Sequence, residues 1–226
     1  MVAFYRQFIR TGDLCFDLGA HVGNRLWAWR RLGGRIVALE PQPACMRLLR
    51  CLYGNQTAIT LLEQAVGAVP GKQTLHLSRW TPTVSSLSRG WIAAVRQDKS
   101  FAGVRWDEEL SISVTTLDAL IAQFGEPVFC KIDVEGYELE TFRGLSRPLR
   151  ALSFEYLPVT SYIALNCLAR LAELGEYEYN WSERESHRLL SPAWLSPYGM
   201  ADLLVKMAPE QPPGDIFARL KLDNRV

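Results

Sequence analysis

The run Val128-Phe129-Cys130-Lys131-Ile132-Asp133-Val134-Glu135-Gly136 sets a lysine in an apolar stretch and two carboxylates at its end. Side chains alternate along a strand, so Lys131 and Asp133 share one face while Cys130 and Ile132 take the other. A charge inside a sheet is costly unless it is paired. Glu155, on the next predicted strand, is the expected partner of Lys131. Ligands of open α/β sheets bind beyond the carboxyl ends of strands, where Asp133 and Glu135 stand. Glu135 reads equally well as a charge at a helix start, and Glu138 and Glu140 read as acids that complement a helix dipole.

A second group lies in Phe16-Asp17-Leu18-Gly19-Ala20-His21-Val22-Gly23-Asn24. Gly19 and Gly23 permit a tight turn and close approach of the backbone to a ligand. A dinucleotide fingerprint would need its second and third glycines at His21 and Asn24, so that pattern fails. Asp17, ahead of the loop, would repel a diphosphate and suits a ligand bearing an ammonium or sulfonium. Glu40 ends the next predicted strand, 23 positions beyond Asp17 (40 minus 17). A carboxylate at that spacing can accept both hydrogen bonds of a ribose diol, and Pro41 fixes the backbone as the strand ends. Past the third predicted strand, Gln64 and the small Ala65 stand where the base of a nucleoside would lie. The expected binding set is therefore Asp17, Gly19, His21, Gly23, Asn24, Glu40, Pro41, Gln64, Ala65 and Asp133.

These residues need parallel strands to bring them together. Residues 14–18, 35–40, 58–62, 128–133 and 151–156 read as strands, with helical patterns between them, including 24–32, 43–53 and 161–174. Alternation of this kind implies right-handed crossovers and a three-layer α/β sandwich. Residues 177–181 and 202–207 are expected to close the sheet as an antiparallel pair. The chain reads as one domain over 1–226, with an N-terminal helix in 1–12, an irregular insert at 68–113 and a Pro-rich, loosely held tail at 209–226.

The 226 residues are 48% hydrophobic, enough for a full core, and their net charge of +1 supplies no field toward nucleic acid or an anionic membrane. The five cysteines form no C-x-x-C pair, and a reduced, cytoplasmic setting is the simplest expectation. Residues 1–11 do not read as a signal peptide, and no apolar run approaches the roughly 18 residues that span a bilayer. His21, His76 and His187 are scattered and give no zinc signature. No dense carboxylate cluster with ligand spacing is visible, so no metal is expected. Of the seven tryptophans, Trp91 in the insert and Trp194 near the carboxyl end are candidates for an acceptor pocket, with core packing as the equal alternative.

Three blocks bear on family. Asp17-Leu18-Gly19-Ala20-His21-Val22-Gly23 is one, and Ala38-Leu39-Glu40-Pro41-Gln42-Pro43 the next. The third is Thr116-Leu117-Asp118 with Lys131-Ile132-Asp133-Val134-Glu135-Gly136-Tyr137-Glu138 and Arg143-Gly144. In these the chain resembles the FkbM family of S-adenosylmethionine-dependent methyltransferases, over about residues 13–155; His21 stands where many members carry Asn. The resemblance implies a Rossmann-like, mostly parallel seven-stranded sheet with an antiparallel last strand. It implies S-adenosylmethionine as cofactor and hydroxyls of sugars or natural products as acceptors. Such a transfer needs acceptor and methyl in line, and a base for the hydroxyl proton. Asp133 is the first candidate base, Glu155 the second and His187 the third. The rival readings are a nicotinamide-dependent oxidoreductase, a non-catalytic nucleoside-binding module and, against the charge, a nucleic-acid methylase.

Overall fold

The computed structural model of the chain describes residues 1–221. Burial orders the strands. β1 (Leu14–Leu18) is buried at all five positions. β2 (Arg35–Leu39) is buried at four of five, and β3 (Ile59–Leu62) only at its first residue, as an edge strand should be. β4 (Ala65–Val66), β5 (Gly71–Leu77) and β6 (Glu108–Thr115) belong to a separate three-stranded sheet, in the order β4-β6-β5. β7 (Phe129–Ile132) is wholly buried. β8 (Ala151–Tyr156), β9 (Tyr177–Glu183) and β10 (Gly214–Leu220) complete the main sheet. Its order is β3-β2-β1-β7-β8-β10-β9. The first five of these strands run parallel, and β10 pairs antiparallel with both β8 and β9.

Continuous apolar strands at the centre require a covered sheet on both faces. The eight α-helices among the described residues are α1 (Val2–Tyr5), α2 (Asn24–Arg31), α3 (Pro43–Tyr53), α4 (Arg89–Val95), α5 (Leu117–Phe124), α6 (Glu138–Arg143), α7 (Ser161–Leu174) and α8 (Pro197–Lys206). All but α4, which packs in the insert, supply most of that cover. The period-two alternation of a strand sorts the core into two layers. Leu14, Phe16, Leu18, Cys130 and Ile132 pack with Leu120 of α5, Phe142 of α6, Leu171 of α7 and Leu204 of α8. Cys15, Ile36 and Phe129 pack with Tyr5 of α1, Trp29 of α2 and Met46 of α3. Asp17 and Lys131 are register partners on this second face.

Several expectations need correction. The antiparallel pair that closes the sheet is β9 with β10, whereas residues 202–206 belong to helix α8. The tail expected to be loose supplies β10, whose first five residues are buried between two strands. Weak alternation in Gly-Asp-Ile-Phe-Ala-Arg-Leu hides this strand, because both of its faces are covered; residues 222–226 of the expected tail lie outside the described residues. Within the insert, the polar–apolar alternation of residues 72–78 predicts an edge strand, and β5 is one; its pairing with β6 over seven positions makes the insert more regular than expected. Lys131 does not pair with Glu155. Its Nζ lies 2.6 Å from Asp215 Oδ1 and 3.2 Å from Asp133 Oδ2. It reaches β10 across the small Ser153, its register partner on β8. Trp91 is 1% exposed and packs edge-on against Phe101 and Trp106. Trp194 lies under the Arg219 guanidinium at 4.2 Å. No helix of the described residues is long and apolar enough to cross a membrane.

Removing one partner of a buried ion pair leaves an uncompensated charge. Asp215→Ala is therefore expected to cost about 3–5 kcal/mol of stability, read as a lower urea midpoint with an unchanged m value. An unchanged midpoint would show that Lys131 does not need its strand β10 partner.

Candidate active site

The carboxyl ends of β1, β2, β7 and β8 converge on a cavity of about 240 Å³. Between β1 and α2, the loop bends back so tightly that a Cβ at Gly19 would lie 1.8 Å from the Asp133 carbonyl oxygen. Gly19 (φ 86°) and His21 (φ 47°) both take left-handed backbone. That geometry turns the His21 amide onto Glu40, where it donates to Oε2 at 2.8 Å, and the Gln42 amide donates to Oε1 at 2.8 Å. The Glu40 carboxylate, 2% exposed, is thus oriented by two backbone groups. Burial still pushes its pKa up to about 7, against the pull of those amides.

Beyond β7 the acids gather. Burial opposes the charge of Asp133, yet Lys131 and Arg25 together hold its carboxyl below the ordinary value. Arg25 Nη2 stands 3.3 Å from Asp133 Oδ2. Glu135 has φ 52°, an uncommon conformation for a non-glycine residue. Ser86 of the insert donates to its carbonyl at 2.5 Å, and Glu138 accepts from the Val134 and Gly136 amides at 3.2 Å each. Glu138 therefore caps this turn by hydrogen bonding as well as by charge. Oxygens of Asp133, Glu135 and Glu155 all lie within 4.8 Å of one another. Burial, reinforced by neighbouring carboxylates, pushes the Glu135 and Glu155 carboxyls well above their usual range. Sequence spacing shows no such cluster because its members come from two strand ends; carboxylates this close can hold a hard cation or retain protons.

Gly19, His21, Asn24, Glu40, Pro41, Gln64, Ala65, Asp133 and Glu155 line the cavity together. Asp17 and Gly23 do not. Asp17 is 1% exposed, neither of its oxygens has a hydrogen-bond partner among the described residues, and burial pushes it up to about 6 against Arg25 and Lys131. Gly23 N-caps α2, and its carbonyl accepts from the Tyr53 hydroxyl at 3.2 Å. His187 packs edge-on to Phe4 and Tyr5 at ring distances of 5.9 and 6.0 Å, and does not line the cavity. Nor does Trp91 or Trp194. Arg25, Glu185 and the insert residues Thr83, Ser85 and Leu87 line it without having been expected. One arginine among 20 carries no mark of its place, though Arg25 does sit two residues past the loop.

The family described as the methyltransferase FkbM domain matches residues 17–180. A search of curated proteins finds none that matches. Among solved structures, the chain is similar to precorrin-6y C5,15-methyltransferase from Geobacter metallireducens, with 13% identity and a TM-score of 0.51 over 97% of this chain and 84% of that one. It also aligns with an rRNA methylase from Streptococcus thermophilus, at 9% identity and a TM-score of 0.49 over 97% and 94% of the two chains. Fibrillarin from Aeropyrum pernix, solved with natively bound S-adenosyl-L-methionine, aligns at 13% identity and 0.46 over 93% and 68%. With the first of these the chain shares the fold.

Glu40 and Glu138 (about 7) and Asp17 (about 6) have folded pKa values above their usual ones, so the native state keeps protons that the unfolded chain releases. Their stability contribution is full below the unfolded values and is lost as pH rises through the folded ones. The depressed Asp133 acts oppositely, but below that window. The ligand-free protein should resist urea better at about pH 5 than at about pH 7.5, and Glu40→Gln should remove a share of that slope on the order of 3 kcal/mol. A stability that rises over this interval would contradict these assignments.

Proposed function

The chain belongs to the methyltransferase FkbM family, and on that premise we propose that it methylates a hydroxyl group of a sugar or natural-product small molecule. S-adenosylmethionine is the donor of a methyltransferase of this family and supplies a methyl group on positive sulfur. The residues present fit that donor. The Glu40 carboxylate, oriented by two amides, suits the ribose diol. Leu39, Ala65, Val66 and Leu75 offer apolar surface to the base, and Gln64 a polar edge. Asp133, held ionised by Lys131 and Arg25, suits the ammonium of the amino-acid end.

Asp133 and Glu155 divide the catalytic work on this reading. A carboxylate already neutralised by two cations is a poor base, so Asp133 positions the donor. Among the described residues Glu155 touches no cation, and its Oε2 is buried without a hydrogen-bond partner. Its raised proton affinity makes it the stronger base once ionised. It accepts the hydroxyl proton as the oxygen attacks in line with the methyl–sulfur bond. The observation that carries this proposal is the convergence of Glu40, Asp133 and Glu155 on one cavity. The acceptor is read as a small molecule because the net charge of +1 offers no attraction to a polyanion. No metal is invoked, since Lys131 and Arg25 already neutralise Asp133. The same reading sets the reaction in the cytoplasm, supported by five free cysteines.

Radiolabelled methyl transfer to a panel of hydroxylated sugars and natural products tests the activity. Glu155→Gln should lower kcat by about 10²–10⁴ and leave S-adenosylhomocysteine affinity within about threefold, since it removes a base and no donor contact. EDTA should leave the wild-type rate unchanged, and loss of rate restored by magnesium would refute the metal-free mechanism. Calorimetry that detects no binding of S-adenosylhomocysteine to folded protein would refute the donor site itself.

A further inference from the structure

Five carboxylates and one cationic side chain line the cavity wall. Glu40, Asp133, Glu135, Glu155 and Glu185 line the space, and among the described residues Arg25 is the one lysine or arginine that does. S-adenosylmethionine carries two positive groups, its sulfonium and its ammonium, and one negative group, its α-carboxylate. The acids can receive the first two. Only Arg25 can receive the third by charge.

The state of Arg25 agrees. Its side chain is 12% exposed, and among the described residues its buried Nε has no hydrogen-bond acceptor. Its Nη2 stands 3.3 Å from Asp133 Oδ2 and 3.6 Å from Glu185 Oε1, so the guanidinium is paired by charge but not saturated by hydrogen bonds. An unmet donor at a buried guanidinium is costly, and a planar fork of N–H groups matches a carboxylate in a way an ammonium does not. The two present partners differ. Asp133 is fixed by Lys131 as well, whereas Glu185 is 58% exposed and holds Arg25 weakly through solvent. An arriving carboxylate would displace Glu185 and leave Asp133 in place. The surroundings favour an anion too, because α2 begins at Asn24 with no side-chain cap and no acid in its first turn.

We infer that Arg25 recognises the α-carboxylate of the donor and makes the site selective for donors with an intact amino-acid end. This rests on the donor reading above and adds to it a residue and a specificity. Arg25 is a binding residue and takes no part in proton transfer.

Calorimetric titration with S-adenosylmethionine and with decarboxylated S-adenosylmethionine isolates the carboxylate, and 5′-methylthioadenosine reports the nucleoside half alone. Wild-type protein should prefer the intact donor by about 10- to 100-fold. Arg25→Gln should bring that ratio close to one while 5′-methylthioadenosine binds as before. Arg25→Lys, which keeps the charge and loses the fork, should restore only part of the preference. Should Arg25→Gln fail to bind 5′-methylthioadenosine, and so be misfolded, the ratio in Arg25→Lys decides alone: a full wild-type preference there overturns the assignment. A preference that survives Arg25→Gln also overturns it. Wild-type protein that binds none of the three nucleosides overturns the donor reading instead, and the role of Arg25 with it.

Discussion

Lys131 holds a fully buried ammonium between Asp215 of β10 and Asp133 at the end of β7. Taking such a charge out of water costs several kcal/mol, and only close, well-directed partners offset it. That requirement reaches across the molecule. It ties the last strand, 84 positions away in sequence, to the strand that ends at the candidate active site. It keeps Asp133 ionised, with Arg25 as the second cation. A one-residue slip of β10 would turn Asp215 to the opposite face and strand the lysine, so the ion pair also selects the register of the antiparallel strand.

The same polar layer separates the roles of acids that look alike in composition. Asp133 lies beside two cations and stays charged. Glu135 and Glu155 face each other and Asp133 with no cation in contact, and they hold protons more tightly. Asp17 lies beneath the layer, buried and without a hydrogen-bond partner, where its charge can influence Lys131 and Arg25 but not touch the cavity. Chemical identity therefore says little about role at this sheet edge; the neighbouring charge decides it.

The insert completes the site. Ser86 binds the carbonyl of Glu135, and Ser85 and Pro82 bind the Gln42 side chain at 3.3 and 3.1 Å. Trp91 packs so closely on Gly136 that a Cβ there would lie 2.1 Å from its Cγ. The tryptophan thus shapes the turn behind Glu135 and offers nothing to a ligand in the cavity. Strands β5 and β6 carry the segment that reaches back to both strand ends, which explains why Thr83, Ser85 and Leu87 line a cavity built mainly on the other sheet.

What could be read from the chain was local. Apolar runs marked β1, β2, β7 and β8, and the glycine loop and the acids after these strands marked the edge where the cavity lies. Nine of the twelve expected binding and catalytic positions line the cavity, Asp17, Gly23 and His187 being the exceptions. Strand β10 was illegible because burial on both faces removes the alternation that identifies a strand. The partner of Lys131, the acid trio and Arg25 were illegible for a different reason. Charge pairing and proton affinity depend on distances of a few ångströms between segments far apart in sequence, and only tertiary packing sets those distances.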